Sequence, residues 1–65
     1  MKKIYTILYY QSIHDDLWYW KLLSKNGRII ADGAEGYNTK SSIVRAIRRN
    51  KAFNFETILL REEIL

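Results

Sequence analysis

Leu17-Trp18-Tyr19-Trp20-Lys21-Leu22-Leu23-Ser24-Lys25-Asn26-Gly27-Arg28-Ile29-Ile30-Ala31-Asp32 is the stretch whose reading decides the fold. Residues 17–24 are dense in aromatic and aliphatic side chains and carry no helix cap, so they read as a strand. The two-residue period of a strand puts Trp18, Trp20 and Leu22 on one face and Tyr19 and Lys21 on the other. Asn26-Gly27 marks a tight hairpin turn, because both residues tolerate positive φ. Residues 28–32 then return as a second strand. Upstream, residues 3–11 (KIYTILYYQ) are β-branched and aromatic, and the polar run Ser12 to Asp16 reads as the turn that joins them to residue 17. Residues 3–32 are therefore expected to form a three-stranded antiparallel meander.

Downstream the period changes. Gly33 and Gly36 punctuate a loop. Asn38 or Thr39 can cap a helix, since either side chain accepts a hydrogen bond from a free backbone N–H of the first turn. The helix is expected from about Lys40 to Asn50. Ile43, Val44, Ala46 and Ile47 cluster on one face, with Arg45, Arg48 and Arg49 opposite. Residues 52–55 (AFNF) read as a short strand and residues 57–65 (TILLREEIL) as a longer one. Ile58-Leu59-Leu60 is apolar on consecutive positions, so both faces of that last strand ask for cover. A second subunit can provide it, and the expectation is a homodimer that exchanges its C-terminal strands. The alternative is an amphipathic terminal strand with one exposed leucine.

Composition limits what such a fold can do. With 65 residues the chain reads as one domain, and a domain this small buries only ~60% of its unfolded surface. It has no cysteine, one histidine and no proline. Disulfides, thiol catalysis and a multi-histidine metal site within one chain are excluded. No apolar run approaches the ~20 residues that span a membrane. Met1-Lys2-Lys3 followed by Ile4 to Tyr10 imitates a signal peptide only faintly, without a small-residue cleavage site. The expectation is a soluble, cytoplasmic protein. Its net charge is +4, yet residues 38–51 alone carry +5, from Lys40, Arg45, Arg48, Arg49 and Lys51 with no acid among them. That concentration favours anionic partners; the plainer reading is a solvated basic face. Arg45 stands three and four residues before Arg48 and Arg49, and each like pair costs roughly 0.2–0.5 kcal/mol.

Few residues have the makings of catalysis. His14, Asp15 and Asp16 are a general-base combination by type, but consecutive residues of a turn point apart, and a solvated turn is expected. The serines have no base at useful spacing, and Gly33 and Gly36 lack a phosphate-loop spacing. An anion at the helix start would meet Asn38, Thr39 and Lys40. Trp18 and Trp20 read as core. Tyr10, Tyr19 and Lys21 can make an aromatic and basic surface suited to bases and phosphates. Tyr37 is either a packing plug or a pocket wall.

The order of features over residues 17–53 resembles the YegP-like family, small and mostly bacterial proteins of unknown function. Trp18, Trp20, Lys21 and Leu22 match its aromatic-x-aromatic-basic-Leu strand. Asn26, Gly27, Ile30 and Ala31 match its turn and the strand that follows. Glu35, Gly36, Tyr37, Thr39 and Lys40 match its loop and helix start, and Ile47, Asn50 and Ala52 its helix end. Ala34 stretches the usual Gly-Glu-Gly by one residue. The resemblance implies a single domain over residues 1–65, of α+β class: a β(3)-α-β(2) unit with an antiparallel sheet and one helix. It also implies a homodimer, which agrees with the argument from Ile58 to Leu60. It brings no activity and no functional residues.

The function expected from all this is non-enzymatic binding, with no cofactor and no metal. The foremost reading is a homodimer sequestering a small phosphorylated, nucleotide-type ligand in a basic and aromatic pocket at the subunit interface. Tyr19, Lys21, Tyr37, Lys40, Arg45, Arg48 and Arg49 are its candidate residues. A phage-encoded inhibitor of host defence is one setting that size suggests. The second reading is a protein-protein inhibitor or adaptor that lays its arginine-rich helix face on an acidic partner, since Trp, Tyr and Arg are enriched at binding hot spots. The third is nucleic-acid binding, with its steep salt dependence.

Overall fold

The central strand is β1, Tyr5–Gln11. Its seven residues alternate between the two faces of a four-stranded sheet, in which the strands stand in the order 29–32, 18–23, 5–11 and 58–62. The computed structural model describes residues 3–33 and 35–64. β2 is Trp18–Leu23, β3 is Ile29–Asp32 and β4 is Ile58–Glu62; the helix α1, Lys40–Arg49, lies between β3 and β4 in the chain. The class is α+β, and the meander of β1, β2 and β3 is antiparallel as expected.

Local chemistry explains the turns. Between β1 and β2 the Asp16 N–H donates to the Ser12 carbonyl and the Ser12 N–H to the Leu17 carbonyl. Asp16 sits at φ 60°, a left-handed conformation that Asp tolerates better than most residues. Between β2 and β3 the Gly27 N–H donates to the Ser24 carbonyl and the Ser24 N–H to the Arg28 carbonyl. Gly27 takes φ +83° while Asn26 stays at negative φ. The loop is thus a type I turn closed by a left-handed glycine, rather than a two-residue turn with both residues left-handed.

The helix begins where its cap predicts. Thr39 Oγ1 accepts from the Ser42 N–H at 3.1 Å. Ile43 and Ile47 then turn inward onto Ile7 of β1 and Ile58 of β4, and these four form the buried cluster. Each buried isoleucine is worth ~1.5–3 kcal/mol of hydrophobic stabilisation. Tyr9, Trp18, Trp20, Leu22, Tyr37, Val44, Phe53, Phe55 and Leu60 pack around them. All of α1 lies on one side of the sheet. On the other side only Leu8 is buried among the described residues, at 5% exposure.

Three expectations change. Residues 52–55 are not a strand. Asn50 and Asn54 capture the backbone there: Asn50 Oδ1 accepts from the Ala52 N–H at 2.9 Å, and Asn54 Oδ1 from the Glu56 N–H at 3.0 Å. Such local bonds compete with a sheet ladder and win where no partner strand is in reach. Phe53 and Phe55 nonetheless both reach the core, their rings edge-on at 6.3 Å. The unit is therefore β(3)-α-β.

Second, the sheet is mixed. β4 pairs with β1 in parallel, Tyr5 opposite Ile58 and Ile7 opposite Leu60. The chain leaves β3, crosses the sheet through α1 and re-enters at β1's free edge, the kind of long crossover that parallel pairing needs. The Ile4 and Tyr5 N–H groups both donate to the Thr57 carbonyl and fix that entry.

Third, the last strand is shorter than residues 57–65 and does not need two covered faces. Ile58 and Leu60 face the helix while Leu59 is 43% exposed, the amphipathic alternative. β4 fills the edge of its own chain's β1, so no exchange is required to complete that pairing. The inserted Ala34 and the expected strand end at Leu65 lie outside the described residues. Among the described residues no helix is long and apolar enough to cross a membrane.

Candidate functional site

The candidate residues fall on three surfaces. Tyr19 and Lys21 stand on the helix-free side of the sheet, opposite Tyr10 and Leu8 of β1. The Tyr10 and Tyr19 rings lie 6.2 Å apart, tilted by 31°, and Lys21 Nζ sits 5.1 Å from the Tyr10 ring centre. The aromatic and basic cluster read from the sequence is therefore assembled. Its polar groups are already engaged. Lys21 Nζ pairs with Glu63 at 3.4 Å, and the Tyr19 hydroxyl donates to Asp15 Oδ2. That bond, with a second from the Leu17 N–H, holds the Asp15 carboxyl below its ordinary pKa. The same bond to Asp15 raises the Tyr19 phenol, because the neighbouring carboxylate disfavours phenolate.

Lys40 and Tyr37 stand elsewhere. Lys40, first residue of α1, pairs with Glu62 on β4; this hydrogen bond and the carboxylate's charge raise the lysine's pKa. Glu62 and Glu63 thus send their carboxylates to opposite sides of the sheet, one to Lys40 and one to Lys21. Tyr37 bridges to Trp18, each N–H donating to the other's carbonyl, at 2.9 and 2.7 Å. Its ring packs against the core, so it is both plug and wall.

Arg45, Arg48 and Arg49 are exposed on α1. Among the described residues none of the three joins an ion pair. Lys21 and Lys40, by contrast, are each held by a glutamate. The difference places unneutralised positive charge on one helix face.

A cavity of about 340 Å³ opens between the end of α1 and the β2–β3 side of the sheet. Trp20, Glu35, Tyr37, Asn50 and Phe53 line it, over a floor of Ala46 and Ile47, with Gly33 at the rim. Phe53 meets Trp20 edge-on at 5.5 Å. A Cβ on Gly33 would stand 2.3 Å from Trp20 Nε1, so a side chain there requires the indole or the loop to shift. Sequence reasoning had only Tyr37 of this wall as a site residue. It put Trp20 in the core and Phe53 in a strand. The available signal was that Trp20, Glu35, Tyr37, Ile47 and Asn50 all carry the family resemblance, and the fold gathers them in one place. The cavity's only charged group is the Glu35 carboxylate. A second concavity is lined by Gln11, Ile13, Trp18, Glu62, Glu63 and Ile64, and its two carboxylates are the ones paired with Lys40 and Lys21. The wall beside Trp20 does not suit a phosphate, which the Glu35 carboxylate repels.

The remaining candidates are structural. His14 is exposed in the first turn, its N–H bound to Ser12 Oγ at 3.1 Å. Among the described residues no three metal-binding side chains converge. Thr39 Oγ1 and Ser42 bond each other at the helix start.

Neither the curated proteins nor the solved structures include one that matches this chain. The sequence profile of DUF1508, a domain of unknown function, matches residues 14–52, a span that runs from the first turn to the end of the helix and holds every residue of the cavity wall except Phe53. That is more than half of the chain and agrees with the YegP-like resemblance, so the chain belongs to the DUF1508 family.

Proposed function

We propose that this chain is a non-enzymatic, homodimeric binding module of the cytoplasm that presents the arginine face of α1 to an acidic protein surface. The observation that supports this reading is that Arg45, Arg48 and Arg49 stand together on one helix face and join no ion pair among the described residues, whereas Lys21 and Lys40 are each held by a glutamate. Three guanidinium groups on two turns of helix repel one another and gain from a carboxylate-rich partner, to which Arg makes paired hydrogen bonds. The module acts stoichiometrically, by occupying its partner's surface.

The nucleotide-pocket reading is weaker. Its seven residues lie on opposite sides of the sheet. A two-fold interface buries the same patch of each subunit, and a helix side meeting a sheet side is a head-to-tail contact that does not close into a dimer. Within one chain, the cavity beside Trp20 carries the Glu35 carboxylate and no base among the described residues.

Fluorescence anisotropy with a labelled polyglutamate peptide, an ATP competitor and a DNA duplex separates the readings. The peptide is expected to bind at low salt, and Arg45→Glu with Arg49→Glu to abolish binding. Tight ATP binding with a raised melting temperature, and no peptide binding, would restore the pocket reading. Preference for duplex over peptide would point to nucleic acid.

A further inference from the structure

We propose that the cavity walled by Trp20, Tyr37 and Phe53 is a cation site, which takes an alkylated ammonium group with Glu35 as its counter-charge. The inference goes beyond the arginine reading, since it concerns a different wall of the molecule and a ligand of opposite sign.

Three aromatic side chains and one carboxylate meet at this cavity. Trp20 and Phe53 stand 5.5 Å apart with their ring planes at 84°, so they make two adjoining walls at nearly a right angle. Tyr37 adds a third, and two backbone hydrogen bonds to Trp18 pin it in place. All three side chains pack on the core and yet stay half-exposed. The face of an aromatic ring carries partial negative charge and attracts a cation within about 6 Å of its centre, most strongly for Trp. Glu35 is exposed and joins no ion pair among the described residues. Rings and carboxylate therefore act in the same sense. Among the described residues no base lines the cavity: α1 contributes Ala46, Ile47 and Asn50 to it, and none of its arginines.

The wall also selects among cations. The side chains of Trp20, Phe53, Ala46 and Ile47 offer no hydrogen-bond acceptor, and Asn50 Oδ1 is already bound to the Ala52 N–H. A primary ammonium brings three N–H donors, which would lose water there without finding partners. A quaternary ammonium has no N–H to satisfy, and its methyl groups lie against the rings. The net charge of +4 works against the collection of simple cations, so contact with the rings has to supply the difference. The volume of about 340 Å³ lies within the ~300–1,000 Å³ of small-molecule sites.

The second concavity shows the contrast. It holds one aromatic residue, Trp18, and its two carboxylates are paired with Lys40 and Lys21. Trp18 therefore serves as an internal control.

NMR titration of the ¹⁵N-labelled protein at constant ionic strength, following the two indole N–H resonances, tests the site. The probes are choline, ethanolamine and the neutral carbon isostere of choline. Ethanolamine keeps the charge without the methyl groups, and the isostere keeps the methyl groups without the charge. Choline is expected to shift Trp20 saturably, with a Kd in the millimolar range, and to leave Trp18 still. It is expected to bind roughly fivefold or more tightly than either other probe. Glu35→Gln is expected to weaken choline roughly tenfold, and Phe53→Leu, which keeps apolar bulk and removes the ring, several-fold. Circular dichroism on each variant confirms the fold, and the comparison of probes on the wild type needs no variant. The acetylated amide of trimethyllysine separates two sources of the same head group. Tighter binding than choline assigns it to a protein side chain, and weaker binding to a free small molecule. An isostere that binds as well as choline would reduce the site to an apolar pocket and overturn the proposal. So would ethanolamine binding as well as choline, or a Trp20 resonance unmoved at about 50 mM choline.

Discussion

The two sides of the sheet are built from different materials. On the helix side Ile7, Ile43, Ile47 and Ile58 exclude water, and a ring of aromatics surrounds them. On the other side Leu8 alone is buried among the described residues. There the order comes from polar ties at the surface: Tyr19 to Asp15, Lys21 to Glu63, and Lys21 over the Tyr10 ring. Exposed ties of this kind contribute little each. Stability therefore resides on one side of the molecule, and the other is left free to vary. A chain of this size holds only roughly 3–10 kcal/mol in all, so the helix side cannot lose much.

The sharpest way to break that comparison is Ile47→Ala. It removes a fully buried side chain from the helix–sheet seam and is expected to cost about 2–5 kcal/mol, most of the total. Chemical denaturation reads it. Leu59→Ala, on the side without a helix, is expected to change the midpoint far less; equal losses would mean that the two sides are packed alike.

A smaller effect is expected at Gly33→Ala. The new Cβ lands on the Trp20 indole, so the ring or the loop must shift, at ~1–3 kcal/mol. Tryptophan fluorescence of the folded protein should change with it. An unchanged spectrum and midpoint would show that the cavity rim is loose.

The smallest effect concerns the Tyr19–Asp15 tie. Asp15 titrates below its ordinary value when folded, so its contribution is complete above the unfolded carboxyl pKa near 4 and is lost as pH falls through the folded value. Tyr19 and Lys40 titrate above theirs. Their contributions are complete below about pH 10 and are lost as pH rises through the folded values. Asp15→Asn is expected to flatten the acid limb slightly and leave neutral stability nearly unchanged. A large loss at pH 7 would contradict the account of this side as weakly held.

Much of this was legible in the residues because the signals were local. Trp18, Trp20 and Leu22 announced one face of β2 by alternation, Asn26-Gly27 announced the hairpin, and Asn38-Thr39 announced the helix, which Thr39 caps. What was not legible depended on distant partners. Alternation of Phe53 and Phe55 looked like a strand, but Asn50 and Asn54 hold that backbone in turns. Ile58-Leu59-Leu60 said nothing about which edge β4 would join or in which direction. The candidate site divides in the same way. Tyr10, Tyr19 and Lys21 meet because a strand's period brings them together. Trp20, Glu35, Tyr37 and Asn50 share a cavity only because four segments of chain converge, and no spacing in the sequence encodes that.

We propose that the arginine face of α1 is the binding surface. Titrating the ¹⁵N-labelled protein with an acidic peptide and following its amide and side-chain resonances tests it most directly. The account predicts that Arg45, Arg48 and Arg49 move together while the Trp20 indole and Tyr19 stay still. Shifts centred on Trp20, Glu35 and Tyr37, with the arginines unmoved, would contradict it and hand the function to the cavity.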